Sequence, residues 1–182
     1  MVVSCNPCSE NSKLQNRKYI SWPRVCKPFE RVHNESLGPF ENFVWLILVD
    51  SFSQFPFVVR MNGFTTSSIV QALKPIFAIL GYPQKLVPDN GRQFMSSEFK
   101  DFCVQANIRL IFSPPYHPES NGLAERFVLL IQSSVSKSRD PGLPLDDSVF
   151  EFLLTYPSTH LVCGKSLSKL IHGRQMRNEL EA

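Results

Sequence analysis

The chain of 182 residues has no run of about 18 uncharged apolar residues, the length that a membrane-spanning helix requires. Its first residues, Met-Val-Val-Ser-Cys-Asn-Pro, lack the charged-then-apolar order of a secretory leader, so an intracellular protein is expected. An excess of one charge is also missing. Nineteen Lys and Arg stand against 16 Asp and Glu, and a net charge of +3 is too mild to announce a nucleic-acid partner by itself. Five cysteines, an odd number, supply no disulfide framework. Histidine is absent ahead of Cys5. The Cys5–Cys8 pair therefore offers two of the four ligands of a tetrahedral zinc site, with His33, His117, His160 and His172 all downstream. A zinc site closed within this chain is not expected. No internal repeat or low-complexity segment is evident.

What is present is the composition of a globular domain, 43% hydrophobic and 19% charged, on a chain long enough for a sizeable core. Residues 1–23 read as a basic leader. The apolar run Phe43 to Val49 suits a strand buried on both faces, and Phe57 to Met61 is expected to form a hairpin with it. Pro56 places that second strand at an edge or marks its start. Thr65 to Ser68 supply capping hydroxyls for a helix whose inward face is Ile69, Leu73, Ile76, Phe77 and Leu80, with a kink expected at Pro75. Gly81 and Pro83 end it. Lys85 to Val87 reads as a short strand. Ser96 caps a helix lined by Phe99, Phe102, Cys103 and Ala106. Ile108 to Phe112 is a further strand, Ser113 to Pro118 a loop, and Leu123 to Val135 a helix. A last helical stretch near Asp147 to Leu154 leads into an irregular tail. Alternating strands and helices predict an α/β domain with a mixed five-stranded sheet flanked by helices, once an earlier strand is added near Phe29 to Leu37.

Two carboxylates stand out. Asp89 follows the short strand and opens Asp89-Asn90-Gly91-Arg92-Gln93-Phe94. Glu125 closes the stretch from Pro114 to Glu125 near the start of a helix, with 35 residues between the two. Taken alone, Asp-Asn-Gly is a turn and Glu125 a solvent-facing helix residue. Asn121-Gly122 ahead of the helix, however, permits close approach of a ligand. A strand tip and a helix one strand–helix–strand passage later can bring carboxylates together.

The two motifs and their spacing resemble the catalytic core of retroviral and retrotransposon integrases, nearest by pattern to those of gypsy-type LTR retrotransposons. The similarity runs through Phe29-Glu30-Arg31-Val32-His33, Gly38-Pro39-Phe40, Val49-Asp50-Ser51-Phe52-Ser53 and both motifs, and continues through Thr159-His160, Gly164-Lys165-Ser166 and Gly173-Arg174. The resemblance implies a ribonuclease-H-like core over residues 24–140 and a helical extension over 141–182. In the family a His-His-Cys-Cys zinc module precedes the core, so Cys5 and Cys8 look like its last half. It implies Mg2+ or Mn2+ held by carboxylates, 3′-end processing and strand transfer on DNA, self-association, and a place in the nucleus. No small-molecule substrate and no membrane are implied. Tyr116 and His117 fall in the loop that in such cores closes over DNA ends.

One departure bears on activity. Where the family's first strand reads W-E-R-V-H-x-D, this chain has Phe29-Glu30-Arg31-Val32-His33-Asn34-Glu35. The metal ligands implied are thus Glu35, Asp89 and Glu125. Glutamate keeps the charge but moves the oxygens by roughly 1.3 Å, whereas catalytic groups need placement within about 0.5 Å. Metal binding is expected to survive this change and fast chemistry is not. Asp50 is expected at the opposite end of the strands, as a turn residue. Pro157 and Leu167 stand where the family has arginine and proline. The alternative is therefore a catalytically inactive module of the same fold that binds nucleic acid or protein.

Overall fold

A computed structural model of the protein describes residues 22–112, 122–138 and 144–178. Five strands form one sheet in the order β3-β2-β1-β4-β5. β1 (Arg31–Phe40) and β2 (Phe43–Asp50) are antiparallel, as are β2 and β3 (Pro56–Met61). β4 (Lys85–Val87) runs parallel to β1, and β5 (Arg109–Leu110) parallel to β4. The mixed five-stranded sheet is the one expected, and Pro56 opens an edge strand where its missing N–H breaks no ladder. β5 is shorter than the Ile108 to Phe112 expected.

Local chemistry explains the connections. Glu41 and Asn42 both take positive φ (52° and 68°), the two-residue turn whose twist suits a hairpin. α1 (Thr66–Leu80) starts in a capping box: Thr65 Oγ1 accepts from Ser68 N, and Ser68 Oγ accepts from Thr65 N. It continues through Pro75 as one helix and ends at Gly81, whose N–H donates to Phe77 O. α2 (Arg92–Met95) is a single turn, and Ser96 then caps α3 (Ser97–Gln105).

Alternation along the strands divides the core between two faces. Val32, Leu46, Leu48 and Leu86 meet Ile69, Leu73 and Phe77 of α1 and Phe99 and Cys103 of α3. Leu37, Trp45, Ile47 and Val49 meet Ala124, Phe127, Ile131 and Val135 of α4 (Gly122–Ser138). Leu145 and Val149 of α5 (Leu145–Thr155) extend this second cluster. The tail is more ordered than an irregular segment. A bridge between His160 and Ser166 leads into α6 (Leu167–His172), which Ser166 caps.

Candidate functional site

The sheet order sets β4 beside β1, and the ladder continues past the end of β4. Asp89 N donates to Asn34 O at 3.1 Å, one step beyond the His33–Val87 pair. Asp89 therefore stands at the carboxyl tip of a parallel strand, next to the stretch Asn34-Glu35-Ser36. This is the end of an open α/β sheet at which ligands bind.

Glu35 lies opposite Ile47 in the β1–β2 ladder and is half-buried. By the two-residue alternation it shares the face of Leu37, the face that α4 covers. Glu125 sits in the first turn of α4, half-buried beside the stripe formed by Ala124 and Phe127. The positive end of the helix favours a carboxylate there. Glu35 and Glu125 thus belong to one face of the sheet, with Asp89 at the neighbouring strand tip.

The Asp89 carboxylate is already engaged. Its Oδ2 accepts from Ser36 N at 3.2 Å and from Ser36 Oγ at 2.6 Å, and its Oδ1 accepts from Gly91 N at 2.7 Å. A Cβ at position 91 would lie 2.7 Å from Oδ1, so only glycine leaves the carboxylate this cradle. Among the described residues, no three His, Cys, Asp or Glu side chains stand together as a ready metal site. The donor set nonetheless fits a hard divalent cation in kind. Three carboxylates on separate elements could offer oxygen to such an ion, and Asp89 keeps one acceptor position of its Oδ1 open.

Asp50 does something else. It is fully buried and pairs with Val32, three residues along β1 from Glu35, or roughly 10 Å. Its Oδ1 accepts from Phe29 N at 2.9 Å, and its Oδ2 from Ser53 N and Ser53 Oγ at 2.8 and 2.6 Å. The residue closes the β2–β3 turn and ties down the approach to β1, the structural role expected of it. Cys103 is likewise structural: it is buried, and burial pushes its thiol up to about 12. Tyr116, His117, Cys5 and Cys8 lie outside the described residues.

Ser36 and Gly91 had not been singled out from the sequence. Gly91 carried a signal, since Asp-x-Gly is the pattern in which an aspartate accepts from the N–H two residues on. Ser36 carried none, because its partner is 53 residues away.

The family model described as Integrase core domain matches residues 32–118, from β1 to a point before α4 and Glu125. The chain carries an integrase core domain. The chain is 32% identical to an uncharacterized protein of Caenorhabditis elegans over 99% of its own length, and spans 14% of that protein. It is 31% identical to the Pro-Pol polyprotein of feline foamy virus over 90% of this chain, and spans 15% of it. Among solved structures, the simian T-cell lymphotropic virus intasome in complex with PP2A regulatory subunit B56 gamma matches with a TM-score of 0.80 at 26% identity. That match covers 96% of this chain and 66% of the other. The HTLV-2 integrase catalytic core domain in complex with magnesium, in its trimeric form, matches in fold with a TM-score of 0.69 at 24% identity, over 82% of this chain and 100% of that one. The ribonuclease-H-like architecture expected from the sequence is therefore the one the integrase core adopts.

Proposed function

We propose that this integrase core acts in DNA integration by metal-dependent polynucleotidyl transfer, 3′-end processing followed by strand transfer. Glu35, Asp89 and Glu125 are the proposed ligands of Mg2+ or Mn2+. The observation that carries the reading is the seating of Asp89 against β1 through its bond to Asn34 O, on the strand that carries Glu35 and beside the face covered by α4, whose first turn carries Glu125. The chemistry such ions supply is activation of the attacking oxygen and stabilisation of the leaving oxygen in an in-line displacement at phosphorus. The chain's own part is positional. β1 carries Glu35, the tip of the neighbouring β4 carries Asp89, and the first turn of α4 carries Glu125. By the same likeness, DNA and further copies of the chain are the proposed partners and the nucleus the proposed place. No helix among the described residues is long and apolar enough to cross a membrane.

A second reading, a binding module without catalysis, has its own support. Asp89 is bonded to Ser36, and Glu35 carries one methylene more than aspartate. A strand-transfer assay on a duplex DNA end with Mg2+ or Mn2+ separates the two. Joining above the Glu125→Gln and Asp89→Asn variants is expected, and Glu35→Asp should raise the rate by up to about a hundredfold, the scale set by a 1 Å misplacement. Joining no greater than in Glu125→Gln, in both the parent and Glu35→Asp, would leave the binding module standing.

A further inference from the structure

We propose that Ser36 is a positioning residue that competes with the divalent cation for Asp89 Oδ2. The inference rests on the reading of Asp89 as a metal ligand. A carboxylate has about four acceptor positions, two on each oxygen. Both positions on Oδ2 are taken by one residue: the Ser36 amide at 3.2 Å and the Ser36 hydroxyl at 2.6 Å. Gly91 N takes one position on Oδ1. One lone pair of Asp89 is left for an ion.

The direction of the pull matters as much as the count. Successive side chains on β1 alternate, so Ser36 shares the face of Val32, and Glu35 the face of Leu37. The Ser36 hydroxyl therefore draws the Asp89 carboxylate away from the face on which Glu35 and α4 stand. The amide bond lies near the plane of the sheet and does not oppose a swing toward that face. The hydroxyl bond does oppose it. A hydroxyl donating at 2.6 Å to a charged carboxylate is among the stronger hydrogen bonds, and both residues are half-buried, where water weakens it less. An ion that takes Oδ2 has to break this bond first.

Mn2+ titration of the whole chain, read by the electron paramagnetic resonance of the free ion, tests the inference without any DNA reaction. Ser36→Ala is expected to bind Mn2+ about tenfold more tightly than the parent, the scale of one charge-assisted hydrogen bond. Ser36→Thr, which keeps the hydroxyl, should match the parent. Asp89→Asn should abolish the gain in the Ser36→Ala background, and thermal melting in chelator confirms that each variant folds. If Asp89→Asn weakens parental binding but Ser36→Ala binds no better than the parent, or binds worse, the role given to Ser36 falls alone. If Asp89→Asn leaves parental binding unchanged, the ligand reading falls and the competition with it.

Discussion

At the scale of single residues, Asp50 anchors the start of β1. It is fully buried, and its carboxylate accepts from Phe29 N, Ser53 N and Ser53 Oγ. Removing the carboxylate leaves buried donors without their acceptor. Asp50→Ala is therefore expected to destabilise the protein by about 3 kcal/mol or more, measured by urea denaturation. An unchanged midpoint would show that the turn holds β1 without it. Two neighbours on this strand were readable from the sequence to different depths. Glu35 was legible because the residues around it keep a recognisable pattern. The partner of Ser36 was not, because hydrogen bonds across 53 residues leave no local trace.

At the scale of elements, α4 brings Glu125 to the sheet, and an aromatic cluster holds it there. Phe127 packs against Phe152 and Tyr156, with ring centroids 5.9 and 5.5 Å apart, joining α4 to α5 and the turn after it. Burial pushes the Tyr156 hydroxyl above its ordinary range, an effect that outweighs the opposing charge of Arg126. Phe127→Ala is expected to cost about 3–5 kcal/mol in chemical denaturation, and to weaken any activity that depends on Glu125. Phe152→Ala, at a half-buried position, should cost less. The helices were legible from their 3.6-residue periods and caps. α1 begins at Thr66 beside its Thr65 cap and buries Ile69, Leu73 and Phe77, as the spacing predicted. The shortness of β5 was not legible, since a strand ends where its neighbour β4 stops offering partners.

At the scale of the whole molecule, the segment after the core is part of the packed structure. Asp146 pairs with Arg60 of edge strand β3 at 2.5 Å, and His172 meets Phe55 edge-on at 5.1 Å. Leu145 and Val149 are buried in the cluster that contains Phe127. Removing everything beyond residue 143 is expected to lower the melting temperature by about 5 °C or more, read by calorimetry. An unchanged melting temperature would mark 144–178 as an independent extension.

The sequence by itself determined the family, the strand and helix order, and two chemically plausible carboxylates with 35 residues between them, because periodicity, caps and short motifs are written in neighbouring residues. It also placed Asp50 outside the site, since antiparallel pairing sends the end of β2 back to the start of β1. Only the tertiary structure decided that Asp89 is seated on β1 and that its carboxylate is held by Ser36. Those contacts join segments far apart in the chain, and which oxygen a hydroxyl reaches depends on the register of two strands and the pleat between them.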